Sequence, residues 1–310
     1  MNRKLLIYFG MFFAMLVWSM SYIVIKLVYA EGVEPVTLVM LRLILAAGSL
    51  QIYLRIIGKI QKIQRQDLKW FLILALFEPF FYYIGESNGL NHISPTVGAI
   101  IIATIPVFTP FIMSLFYKEK LVAGNLFGIV LSFIGVLLVV FNDNYALDAS
   151  LKGVLFMFFA VMSALGYTVI IKRLVEKYNS YTIVAYQTLF GAMFYLPFWF
   201  FSNRQNMFEV YYSAELIIYI IGLAVLSTTI AYILFSTGIR EIGATRSNIF
   251  ANLIPVMTAA MAVMAGLEEL PLRKLAGVLI VISGVFMAQS RKPFFWLPEF
   301  LSSYFRKPEK

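Results

Sequence analysis

Residues 89–140 of this chain return as residues 238–289 without a gap, each position reappearing 149 places further on. Gly89, Ile93, Thr96, Ile100, Ile105-Pro106-Val107, Thr109, Glu119, Leu121, Leu126, Gly128 and Gly135-Val136 fall on Gly238, Ile242, Thr245, Ile249, Ile254-Pro255-Val256, Thr258, Glu268, Leu270, Leu275, Gly277 and Gly284-Val285. Two Leu/Ile/Val-rich segments always share some identities, but matched Pro, Gly and Glu positions are not what apolar composition alone produces. The block is a duplication. In a chain this apolar, it is the internal-repeat signature of carriers built from two halves.

Hydrophobic residues make up 61% of the 310 positions and charged ones 13%, too little polar surface for a soluble fold of this size. A bilayer-crossing helix needs roughly 20 mostly apolar residues, and ten such runs can be read: 5–29, 35–54, 69–88, 95–117, 122–141, 152–171, 181–201, 213–237, 244–266 and 272–290. The connections are short, so no soluble domain is expected. Pro35 and Pro95 sit where first-turn prolines belong, with Ser94 as a cap. Asn2-Arg3-Lys4 before an apolar run resembles a signal peptide. The run is too long for a signal core and lacks a small-x-small cleavage pattern, so it reads as an uncleaved first span. There is no Cys and only His92, which excludes disulfides and thiolate chemistry and most metal or triad arrangements. No cofactor is expected.

The net charge of +9 is explained by topology rather than by nucleic acid. Alternate connections, counted from the N-terminus, hold 19 Lys/Arg residues, among them Arg55, Lys59, Lys62, Arg65, Lys172, Arg173 and Lys177. The opposite side has five: Lys26, Lys152, Arg204, Arg273 and Lys274. The bias puts both termini in the cytoplasm and requires an even number of crossings. Five spans per copy means that the second copy enters the membrane from the other side. The expected fold is thus an all-α membrane protein of ten transmembrane helices, arranged as two inverted five-helix repeats. The first would occupy residues 1–145 and the second 146–290, followed by a basic-aromatic cytoplasmic tail, 291–310, lying along the inner leaflet. Inverted halves make inward-open and outward-open states near mirror images, as alternating access requires. The first-span likeness is weaker: Ser21-Tyr22 and Lys26 match Gly166-Tyr167 and Lys172 with a one-residue slip.

The repeated pattern Ile-Pro-Val, Glu-x-Leu, Gly, Gly-Val, together with Trp18-Ser19, Lys26 and Arg42, resembles the drug/metabolite transporter superfamily, EamA type. Trp-Ser replaces the Trp-Gly of many relatives. The resemblance covers nearly the whole chain. It implies a ten-helix inverted-repeat fold and transport of small metabolites, often amino acids, through a cavity between the halves. It does not imply a particular substrate.

Polar residues at depth are the candidates for that path. Glu78 lies about ten residues into its span, about 15 Å deep at 1.5 Å per residue. At 100° per residue, Tyr82, Gly85, Glu86 and Gly89 share its face. A carboxylate facing lipid there would cost a few kcal/mol, so Glu78 should face a cavity, bind a cation, or carry a proton. Arg42 falls at similar depth, and a structural ion pair with Glu78 or Glu86 is the favoured reading. Trp18, Ser21, Tyr22 and Tyr167 could wall a site for a cationic or aromatic solute. Asn248 and Asn252 lie one turn apart on one face, and Tyr232 follows Ser227 and Thr228. Pro106, Pro110 and Pro255 would break or bend the two repeated helices. Gly124, Gly128, Ser132 and Gly135, echoed by Gly277 and Gly284, read as a close-packing stripe.

Together these features point to a secondary transporter and not an enzyme, for no phosphate-binding loop exists and catalytic groups are scarce. It would move small polar or amphipathic metabolites (amino acids or related amines and organic solutes), as an exporter, across a prokaryotic cytoplasmic membrane. Its partners would be a small-molecule solute, membrane lipid and a proton if transport is coupled; facilitated diffusion is equally compatible. A monomer or weak dimer suffices, and nucleic acid has no place. The alternative is a flippase for a lipid-linked sugar, or a multidrug exporter, of the same fold.

Overall fold

The structure, a computed structural model, describes residues 3–118, 123–141, 149–269 and 271–289. The tail 291–310 and Glu119, Leu121 and Leu270 of the repeat lie outside the described residues. In the first part of the chain come α1 (Arg3–Ala30), α2 (Pro35–Ile56), α3 (Leu68–Ala75), α4 (Tyr82–His92), α5 (Pro95–Ile102), α6 (Ile105–Tyr117) and α7 (Ala123–Val140). In the second come α8 (Leu151–Leu174), α9 (Ser180–Asn203), the one-turn α10 (Asn206–Glu209), α11 (Ala214–Gly222), α12 (Ala231–Ile242), α13 (Ala244–Phe250), α14 (Leu253–Met264) and α15 (Leu272–Gln289). Pro35 and Pro95 open α2 and α5, and Ser94 Oγ accepts from the Val97 amide.

Both parts are interrupted at matching places. Wide π-type turns, Leu76–Phe81 and Leu223–Ile230, join α3 to α4 and α11 to α12. Two-residue breaks, 103–104 and 251–252, separate α5 from α6 and α13 from α14. Among the described residues, seven runs are long and apolar enough to cross a bilayer: Leu5–Ala30, Pro35–Ile56, Arg65–His92, Pro95–Tyr117, Leu151–Leu174, Ser180–Ser202 and Ala214–Ile242. The expected fifth, ninth and tenth spans appear as α7, the broken pair α13–α14, and α15. On described length and hydropathy these do not reach the same standard.

The fold also supplies a register for the first helices that the sequence reading slipped by one. Met11-Phe12-Phe13-Ala14 and Lys26 match Met157-Phe158-Phe159-Ala160 and Lys172 at an even offset of 146. The packing agrees: Met11 of α1 fills the space over Gly238 in α12, and Met157 of α8 fills the space over Gly89 in α4. Each first helix therefore lies on the third helical run of the other copy. The small-residue stripe is the contact between α7 and α15. A Cβ on Gly135 would stand 2.8 Å from the Gly277 carbonyl oxygen, and one on Gly284 2.7 Å from that of Gly128. Ser132 Oγ donates to the Val281 carbonyl at 3.3 Å. Since Gly277, Val281 and Gly284 are the repeat mates of Gly128, Ser132 and Gly135, early residues of one helix meet late residues of the other. The two helices run antiparallel.

Polar clasps tie the connections together at the two ends of the bundle. At one end, the 57–67 connection meets the one after α8. The Gln61 amide donates to Thr182 Oγ1 at 2.9 Å, and the Gln64 amide to the Tyr178 hydroxyl at 3.1 Å. Tyr178 in turn donates to Asp67 at 2.9 Å, and Lys177 pairs with Asp67 at 3.1 Å. At the other end, Asn206 donates to the Gly32 carbonyl at 2.9 Å and accepts from the Glu34 amide at 2.8 Å. Glu268, the conserved acid of the repeat pattern within this chain, takes Ser94 Oγ at 2.8 Å and the Thr96 amide at 2.9 Å, satisfying donors at the start of α5.

Candidate functional site

Among the helices lies a cavity with walls drawn from α1, α2, the Leu76–Phe81 turn, α4–α6, α8 and the runs from Leu223 to α14. Most of the wall falls into pairs related by the repeat. At the 149-residue offset Glu78 pairs with Ser227, Tyr83 with Tyr232, Glu86 with Phe235, Ile102 with Ala251 and Ile105 with Ile254. At the 146-residue offset Trp18 pairs with Ala164, Ser21 with Tyr167 and Tyr22 with Thr168. The isoleucine set flanks the two helix breaks, so the breaks themselves open onto the cavity.

Charge does not follow this symmetry. Arg42, Glu78 and Glu86 all stand in the first copy. Their counterparts are Gln187 (in register with Thr37 on Thr182 and Val39 on Val184), Ser227 and Phe235.

The backbone at Glu78 is extended (φ −143°, ψ 117°) and precedes Pro79, which has no amide hydrogen to continue a helix. Ser163 Oγ of α8 takes up the freed Phe77 carbonyl at 2.5 Å, while Phe77 and Pro79 seat against Gly166 and Gly191, where a side chain would clash. In the mate turn, Trp18 Nε1 donates to the Ser227 carbonyl at 3.1 Å, and Thr228 and Thr229 hydroxyls donate to Leu223 and Ala224 carbonyls at 3.0 Å. Each interrupted run thus has a loosened carbonyl met by the first helix of the other copy, which leaves the backbone satisfied within the apolar interior.

These turns carry the polar groups. Tyr232 donates to Glu78 Oε1 at 2.5 Å, and Tyr82 donates to Glu86 Oε1 at 2.9 Å. Tyr83, the mate of Tyr232, lies 3.3 Å from Thr228 Oγ1. The expected ion pair of Arg42 with Glu78 or Glu86 is not formed: among the described residues no carboxylate comes within 4.0 Å of the guanidinium. Its Nε donates to Thr228 Oγ1 at 3.3 Å, and its Nη2 to Tyr83 OH at 3.3 Å and Ser227 Oγ at 3.4 Å. The guanidinium carbon lies 4.6 Å from the centre of the Tyr83 ring. The reason is the break at Glu78. It turns that carboxyl toward Tyr232, while the second turn of the mate run offers Arg42 hydroxyls.

Of the residues singled out from the sequence, Trp18, Ser21, Tyr22, Glu78, Tyr82, Glu86, Tyr167, Tyr232 and Asn248 line the cavity, with Arg42. Asn252 does not. It sits buried at the α13–α14 break, both amide atoms without a hydrogen-bond partner. Trp18 packs edge-on against Tyr232 and Phe235, with ring centres 5.3 and 5.1 Å away, and Asn248 donates to Thr109 at 3.3 Å. The shared helical face expected for Glu78, Tyr82, Gly85, Glu86 and Gly89 is corrected in two respects. The helix is interrupted at Glu78, and the glycines face α8, where a Cβ on Gly85 would lie 2.6 Å from the Phe156 carbonyl oxygen. Pro106 and Pro255 fall in the first turns after the two breaks, while Pro110 lies within α6. Sequence reasoning missed Tyr83, Thr168 and Phe235. The offset, carried upstream from Gly89 through Ser87/Ser236 to Tyr83/Tyr232, would have found Tyr83 and Phe235.

A model of the EamA-like transporter family matches residues 5–141 and again 151–289. An uncharacterized transporter of Archaeoglobus fulgidus is 26% identical over 275 residues, covering 89% of this chain and 95% of that protein. The uncharacterized transporter YyaM of Bacillus subtilis is also 26% identical, over 79% of this chain and 81% of its own. A solved crystal structure superposes with a TM-score of 0.67 at 16% identity, covering 91% of this chain and 97% of the other, which is a likeness of fold.

Proposed function

Because the chain belongs to the EamA-like transporter family of the drug/metabolite transporter superfamily, and is thus a multi-pass membrane protein that moves small solutes, we propose that it is a secondary transporter working by alternating access. The solutes are small metabolites, amino acids or related amines and organic solutes, and the direction is export. The observation that carries this reading is the cavity itself, whose wall is made of repeat-paired residues from both parts of the chain. A site on a pseudo-symmetry axis can be exposed to either side by states of nearly equal energy. Most of the wall residues are buried among the helices.

Residues 1–145 and 146–290 act as five-helix repeats in this reading. The antiparallel contact of α7 with α15 supports their inversion. Ten crossings, with both termini in the cytoplasm, agree with the Lys/Arg bias. Trp18, Ser21, Tyr22, Tyr82, Glu86, Tyr167, Tyr232 and Asn248 contact solute, Glu78 serves coupling, and Pro106 and Pro255 mark hinges. Counterflow in proteoliposomes across a panel of amino acids, amines, nucleosides and sugars tests the proposal. At least one class should exchange faster than in protein-free vesicles, and no exchange for any member would refute it.

A further inference from the structure

We propose that the cavity holds a docking point for a solute carboxylate, with Arg42 as charge partner. This rests on reading the cavity as the solute site, and adds the chemistry of one end of the solute.

Arg42 is 1% exposed, and a guanidinium stays cationic. Its acceptors, Thr228, Tyr83 and Ser227, are all neutral. The two carboxyls of the cavity are engaged elsewhere, Glu78 by Tyr232 and Glu86 by Tyr82. Nη1 of Arg42 is buried with no partner. A buried cation without a close counter-ion is unfavourable, and an entering anion would relieve that. One free guanidinium nitrogen admits a single-point contact, not the two-pronged grip of an unoccupied fork. Trp18 and Phe235 supply an apolar surface for the rest of the molecule. The second copy has no equivalent, because Gln187 stands where Arg42 does. The docking point is therefore one-sided within a paired cavity.

The test is calorimetric titration of the purified full chain with 3-phenylpropanoate and with its neutral amide. The acid should bind tenfold or more tighter, roughly the worth of one charge-assisted hydrogen bond. Arg42→Gln should bring the ratio near one, and Arg42→Lys should keep part of it. If Arg42→Gln fails to fold, judged by gel filtration and thermal unfolding, Arg42→Lys gives the reading instead: a severalfold fall in the ratio at an unchanged unfolding temperature. Equal affinity for acid and amide, binding of neither, or a ratio unmoved in the variants would overturn the proposal. Exchange of other solutes with no carboxylate preference would refute the docking point alone, whereas carboxylate binding without any exchange would refute the carrier reading alone.

Discussion

Tyr83 and Tyr232 occupy the same place in the two copies, yet one hydroxyl meets Thr228 and the other meets Glu78. The pair shows how a symmetric scaffold acquires a directional site: the frame repeats while single side chains differ. Glu78 is the carboxyl best placed to carry a proton, because it is buried, faces the cavity, and has a phenol to exchange with. Glu78→Gln should lower the ratio of pH-gradient-driven uptake to counterflow by about tenfold or more, the two being measured on the same proteoliposomes. A ratio equal to wild type would remove the proton role. That Glu78 needs a cavity, a cation or a proton was legible from depth alone. Its partner was not, since an unbroken helix would have left it beside Tyr82 and Glu86 rather than turned to Tyr232.

The helices α7 and α15 hold the copies together through glycine backbones in direct contact. Gly277→Leu should lower stability by about 1–3 kcal/mol through overpacking, seen as a lower unfolding temperature in detergent, whereas Leu275→Ala on the exposed side of α15 should change it little. The two clasps are repeat-related elements at opposite ends of the bundle, one centred on Asp67 and Tyr178 and the other on Asn206. In alternating access one end must open while the other stays shut. The chain lacks cysteine, so a Ser21→Cys probe in the cavity can report access by reaction with a charged thiol reagent. Asn206→Ala should raise labelling from one face of the membrane, and Asp67→Asn from the other. Equal rates in all three backgrounds would show that the clasps do not govern access. The glycine stripe and the helix breaks beside Pro106 and Pro255 could be read in advance from the sequence. The clasps could not, since they join loops more than 100 residues apart.

At the scale of the whole molecule, inversion predicts a labelling pattern. Single cysteines at Lys62 and Tyr211, in the 57–67 connection and the connection before α11, should react with impermeant reagent from opposite faces of oriented vesicles. Labelling from the same face would refute the antiparallel arrangement. Composition and the constant offset together determined that this chain lives in a membrane, is built twice over, and belongs among carriers. Those properties follow from local hydropathy and identity, which do not depend on how distant segments meet. Only the tertiary structure decided that the wall of the cavity is paired residue by residue, that Arg42 turns to hydroxyls instead of carboxylates, and that the run through Glu78 is broken. Each of these is set by contacts between helices far apart in the chain, where the energy of burying a polar group depends on which neighbour arrives to satisfy it.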